Sequence, residues 1–187
     1  MNKPLRRLVR ALVLAAAVMG WVSFAAEPAI TVTSPQALPA KHDRPWVFLG
    51  GTIDMGASVD WQAGLTKTLG DLDVVFLNPR RRDWDPAWRP EAGDPHFRQQ
   101  VQWELAALEA ADVIVMYLAP KSQSPVSLLE FGLHARSGKL IVLCPEGFWR
   151  KGNVDLTASA YGVEQVATLD ELAAAVRRRV AAKAVRP

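Results

Sequence analysis

The stretch DVIVMYLAPKSQSPVSLLEFGLHARSGKLIVLC, Asp112–Cys144, decides the fold. Its two ends, Val113–Leu118 and Leu140–Cys144, are short apolar runs rich in branched residues, the composition of strands buried on both faces. Between them SPVSLLEFGLHARSGK reads as a helix, with Ser124 as cap, Pro125 in the first turn and Gly138 as the stop. Strand, helix, strand in this order argues for parallel pairing. The helix carries one carboxylate, Glu130, which helical spacing places on the side of Val126 and Leu133, toward the body of the protein. Burying an ionised carboxylate without partners is costly, so Glu130 requires a reason.

The same alternation continues on both sides. Strands are expected at Trp46–Leu49, Asp73–Asn78 and Val163–Val166, with helices over 58–69 and 97–111 and a weak helix after Asn153. Thr168 and Glu171 make a capping box for a last helix that runs to about Lys183. Five strands alternating with helices predict one doubly wound, Rossmann-like α/β domain over residues 46–184, preceded by a linker over 26–45. In such sheets ligands bind outside the carboxyl ends of the strands, where the strand order reverses. Gly50-Gly51, Asn78–Arg82, Ala119–Ser124 and Pro145–Asn153 all follow strands and are expected on that edge, with Glu130 entering from its helix. LGGTID is not a dinucleotide fingerprint and no Walker motif occurs, so those ligand classes have no motif support. Gly50 and Gly51 form either a turn that admits a ligand close to the backbone or a plain tight turn.

Residues 1–25 have the layout of a secretory signal peptide: Lys3, Arg6, Arg7 and Arg10, then ALVLAAAVMGWVSF, then small residues. The apolar run is short for a spanning helix, so no stable membrane association is expected after cleavage. On this reading the protein is exported or periplasmic. If instead the start codon is mis-called, since the globular pattern begins near Ala29, the protein is cytoplasmic. The segment holds four basic and no acidic residues; without it 18 Lys/Arg face 19 Asp/Glu, a net charge of −1. The basic pI of the whole chain therefore does not argue for nucleic acid as a partner. Cys144, the one cysteine, sits in an apolar strand and reads as a buried, inert thiol. His42, His96 and His134 show no metal-ligand spacing.

Four segments together carry a family resemblance: VFLGGTID, FLNPRRRDWD, QVQWELAALEAADVIVMYL and SPVSLLEFGLHARSGKLIVLCPEGFWRKGNVD. Over roughly residues 30–180 the chain resembles the nucleoside 2-deoxyribosyltransferase-like family. The resemblance implies a flavodoxin-like fold and cleavage or exchange of N-glycosidic bonds, with no metal or organic cofactor. It also implies that Glu130, in Glu130-Phe131-Gly132, is the nucleophile. A retaining glycosyl transfer needs one carboxylate to take the sugar through an oxocarbenium-like transition state, and a dry site strengthens that attraction. The helix's positive end and hydrogen-bonding neighbours are expected to keep Glu130 ionised. The competing reading is a structural carboxylate paired with His134 or an arginine.

The remaining carry-overs are less direct. Glu104 matches the acidic residue that contacts the base in the superfamily; otherwise it is a solvated helix-face charge. Ser124 stands where relatives have a sugar-binding aspartate, and Phe48 where they have a tyrosine that orients the nucleophile. Asn153 resembles a residue that reaches a neighbouring subunit's sugar, which implies a homo-oligomer. Asp54 and Asp83 lie on candidate edge loops as substrate contacts or ordinary turn residues. Arg81, in the triplet Arg80–Arg82, binds a 5′-phosphate or belongs to a solvated charge run. Two function classes follow. One is an N-glycosyl hydrolase or transferase acting on a small-molecule nucleoside or nucleotide. The other is a non-catalytic module that binds such a ligand on the same fold.

Overall fold

The computed structural model of the chain describes residues 28–40 and 44–184. The expected signal peptide, the alternative start and His42 lie outside the described residues. Six strands, β1 (Ile30–Thr33), β2 (Trp46–Gly51), β3 (Val75–Asn78), β4 (Val113–Tyr117), β5 (Leu140–Leu143) and β6 (Glu164–Val166), form one sheet. Its order is β1-β3-β2-β4-β5-β6 and every pairing is parallel. Five helices connect and cover it: α1 (Trp61–Thr68), α2 (Pro95–Ala110), α3 (Pro125–His134), α4 (Lys151–Tyr161) and α5 (Leu169–Ala184). This is the expected doubly wound α/β fold with one strand more. The extra strand, ITVT, lies in the segment read as a linker. It is too short and too exposed for its pattern to stand out, and it forms only because β3 offers a free edge.

The central strands read as continuous apolar runs because alternate residues feed two separate cores. Phe48, Ile114, Met116, Leu140 and Val142 meet Trp103 and Leu108 of α2, Phe131 of α3 and Val154 of α4. Val47, Leu49, Val113, Val115 and Ile141 meet Trp61 and Leu65 of α1 and Leu172 and Val176 of α5. Helix ends follow local chemistry. Asp60 caps α1 by accepting from the Ala63 amide, and Asp94 caps α2 by accepting from those of His96 and Phe97. At α5 the Thr168 hydroxyl accepts from the Glu171 amide at 3.1 Å, while the Glu171 carboxylate accepts from Ala167 at 2.8 Å.

The strand order reverses between β2 and β4, which places a crevice at their carboxyl ends. Gly50 and Gly51 are the last residues of β2 rather than a turn after it. Gly51 has φ +131°, and a Cβ there would sit 2.1 Å from the carbonyl oxygen of Tyr117 on β4. Close approach of two strands, not loop flexibility, requires this glycine.

Candidate active site

A cleft of ≈ 410 Å³ opens at the β2/β4 crevice, lined by Gly50, Gly51, Asp54, Arg81, Glu104, Ser124 and Glu130 among others. Seven of the nine residues singled out in the sequence thus meet in one place. Asp83 stands just outside, bonded to Arg81. Asn153 lies on α4 with Trp149 and Leu128 at a separate shallow depression.

Glu130 projects from α3 and is 8% exposed. The buried side of α3 carries Ser127, Glu130 and Phe131, whereas Val126 and Leu133 are 57% and 60% exposed, contrary to the sequence expectation. The helix bears two apolar stripes, and periodicity alone does not choose between them. No hydrogen bond or ion pair among the described residues reaches Glu130, so the pairing with His134 or an arginine does not form. Among the described residues the hydrogen-bonding neighbours expected to keep it ionised are absent too. Burial, reinforced by the negative charge of Glu104, pushes the Glu130 carboxyl from 4.5 up to about 8, so in the unliganded protein it holds its proton at neutral pH.

Glu104 faces the same cleft from α2. Burial raises its carboxyl, and one hydrogen bond from the Gln100 amide, 2.9 Å long, works the other way. Two acidic groups, both raised by burial, therefore share one pocket, and Glu104 is the one with a hydrogen-bond donor.

Ser124 does not cap α3. Its backbone is left-handed (φ 41°) and its hydroxyl turns inward. There Ser122 donates to the Asp54 carboxylate at 2.8 Å, and Ser122 and Ser124 lie 2.7 Å apart, as do Ser124 and Thr52. The Thr52 oxygen also accepts from the Ala119 amide at 2.9 Å. Each hydroxyl has one proton, so the direction is determined: Thr52 donates to Ser124, Ser124 to Ser122, and Ser122 to Asp54. Ser124, which lines the cleft, retains one free lone pair and no free donor. Asp54, Met55, Lys121 and Ser124 all have left-handed φ, so non-glycine backbone strain is concentrated at this rim.

The arginine triplet divides. Arg80 donates to the carbonyls of Gly56 (3.0 Å) and Ser58 (2.7 Å), clamping the loop that carries Asp54. Arg81 is held bidentately by Asp83 at 2.7 and 3.1 Å and donates to Gln99 at 3.2 Å. It also lies 4.7 Å over the Trp88 ring, which stacks on His96 and meets Trp84 edge-on. This packing orders the long loop before α2 and brings Trp84 to the cleft wall. Asp112 is structural: it accepts from the Trp46 amide at 3.0 Å at the start of β2. Cys144 is buried, which pushes its thiol up to about 11. Among the described residues, no group of His, Cys, Asp and Glu side chains is arranged to hold a metal ion, and no helix is long and apolar enough to cross a membrane.

The sequence model for nucleoside 2-deoxyribosyltransferase-like proteins matches residues 44–148, more than half of the chain. The chain belongs to this family. The nucleoside 2-deoxyribosyltransferase-like region runs from just before β2 to just after β5, so it contains Glu104, Glu130 and the β2/β4 crevice, and it leaves out β1, α4 and Asn153. A conserved protein from Enterococcus faecalis V583 of known crystal structure shares the fold. It aligns with a TM-score of 0.53 at 13% identity, covering 73% of this chain and 99% of that chain. No curated protein matches.

Thr52, Ser122, Gln100 and Trp84 escaped the sequence reading. Gln100 precedes Glu104 by one helical turn, a spacing that could have flagged it. The Thr52–Ser124 contact joins residues 72 positions apart and has no local signal.

Proposed function

We propose that this protein cleaves or exchanges the N-glycosidic bond of a nucleoside, with Glu130 as nucleophile and Glu104 as the group that handles the base. The supporting observation is the carboxyl pair: a buried Glu130 without a hydrogen-bond partner, beside a second acid on the facing helix, in the crevice where this fold binds ligands. A double displacement needs one carboxylate to attack the anomeric carbon and one acid to protonate the leaving base. A pair that holds a single proton supplies both. Binding moves the proton from Glu130 to Glu104, Glu104 delivers it to the base, and the freed Glu130 carboxylate forms the glycosyl ester. Water or a second base then takes the sugar, which separates hydrolase from transferase. The dry pocket that keeps Glu130 neutral when empty strengthens its attraction to the developing cation.

Two features favour an uncharged nucleoside over a nucleotide. The lone pair left on Ser124 accepts from a sugar hydroxyl but offers nothing to a phosphate oxygen. Arg81, the one basic residue on the cleft wall, is already neutralised by Asp83. The protein acts as a homo-oligomer in which the exposed stripe Val126, Leu129 and Leu133 meets a second copy at the rim of the cleft.

Purified protein is incubated with a panel of deoxynucleosides and deoxynucleotides, with and without free base, and base release is followed by chromatography. Release from deoxynucleosides is expected. Tight binding without turnover of any compound would favour the non-catalytic module, and turnover confined to nucleotides would reject the nucleoside assignment.

A further inference from the structure

The hydrogen bonding of Glu104 leads out of the family region. Its single hydrogen-bond donor among the described residues is Gln100, whose Nε2 also donates to the Pro79 carbonyl at 2.9 Å. The Gln100 Oε1 accepts from the hydroxyl of Ser34 at 2.6 Å. Both Ser34 and Gln100 are buried. The amide orientation follows from its neighbours, because the reversed group would set its oxygen against a carbonyl and a carboxylate. Ser34 is the residue after β1, and its amide donates to Asn78 at 3.1 Å, which extends the β1–β3 ladder. One turn along α2 the Trp103 indole donates to the Gln36 carbonyl at 2.7 Å, so the same segment is fastened to α2 twice.

We propose that Ser34 and Gln100 are positioning residues for Glu104: the Ser34 hydroxyl locks the Gln100 amide, and that amide fixes the Glu104 carboxyl in the cleft it shares with Glu130. The edge strand β1 and the turn that follows it, outside the family region, are thus part of the active site. The charged groups that share the cleft with Glu104 are Glu130 from α3, Asp54 from the β2–α1 loop and Arg81 from the β3–α2 loop. Asp54 takes the Ser122 hydroxyl and Arg81 is bound to Asp83, so neither replaces Gln100. Only the catalytic consequence rests on the proposed function; the hydrogen-bond relay from Ser34 to Glu104 does not.

Side-chain carboxyl NMR follows the titration of Glu104 and Glu130 in the full chain and in Ser34→Ala, Ser34→Thr and Gln100→Leu. Loss of the locked donor in Ser34→Ala or Gln100→Leu should raise the titration of Glu104 and lower that of Glu130. Ser34→Thr, which keeps the hydroxyl, should restore the wild-type curves. Unchanged curves in the alanine and leucine variants overturn the proposal. If Gln100→Leu does not fold, the Ser34 pair decides alone. With an active protein, Ser34→Ala should lower kcat about tenfold with little change in KM, and should have no further effect in a Glu104→Gln background. Additive losses in that double variant would reduce Ser34 to a structural role and overturn the proposal. A wild type without turnover would reject the proposed function alone, since the titration curves still decide the relay.

Discussion

At the residue scale Glu130 combines two requirements that oppose each other. As the proposed nucleophile it must ionise, and as a buried side chain without hydrogen bonds it resists ionisation. Its carboxyl is raised in the folded protein, so the neutral form is the stabilising one. That contribution is complete below pH 4.5 and is lost as pH rises toward about 8, at about 1.4 kcal/mol for each pH unit in the window. Glu130→Gln keeps the shape and removes the titration. The variant should therefore gain melting temperature relative to the wild type as pH rises through that window, while base release falls by several orders of magnitude and ligand binding survives. Thermal scans at a series of pH values, paired with turnover assays, measure both. A variant destabilised at every pH with activity intact per folded molecule would remove Glu130 from the mechanism.

At the scale of elements the cleft lies where the strand order reverses, and there the end of β2 leaves no room for a side chain against β4. Gly51 lets β2 pass against Tyr117 of β4, and the Thr52 amide then donates to the Tyr117 carbonyl at 2.8 Å. From there the chain enters the strained turn at Asp54 and Met55, which Arg80 holds through backbone carbonyls. Gly51→Ala combines an unfavourable φ with a clash against backbone that has no room to move. The expected loss is more than about 3 kcal/mol, read as a lowered denaturant midpoint in chemical unfolding. A change within about 0.5 kcal/mol would show that the strands can separate without harm to the fold. This requirement was not legible as such: the paired glycines stood out in the sequence, but the neighbour that demands one of them is 66 residues away.

At the scale of the whole molecule the sheet sets which surfaces are left over. α3 buries its polar-bearing stripe against the cleft and exposes Val126, Leu129 and Leu133, an apolar stripe of the kind that marks an interaction surface. With a second copy as the occupant, the wild type should sediment as an oligomer and Leu129→Glu as a monomer. Because Val126 also lines the cleft, base release should weaken in that variant as well. A wild type that is monomeric at all concentrations in analytical ultracentrifugation would discard this assembly and leave the stripe for some other partner.

The order of the elements over 46–184, the parallel sheet, the edge at which the crevice opens and the place of Glu130, Asp54, Arg81 and Ser124 at that edge were all determined by the sequence alone. Each follows from short-range patterns: apolar runs of strand length, caps, breakers and the rule that places sites after strands. Tertiary structure decided the rest. It selected the stripe of α3 that is buried, turned Ser124 from a cap into a link of a hydroxyl chain, divided the arginine triplet between a loop clamp and a neutralised wall, and drew β1 onto the edge of β3. It also left Glu130 without the partners expected to keep it ionised. These outcomes depend on atoms tens of residues apart meeting in a dry space, where a single donor or its absence moves a proton, and no pattern along the chain carries that information.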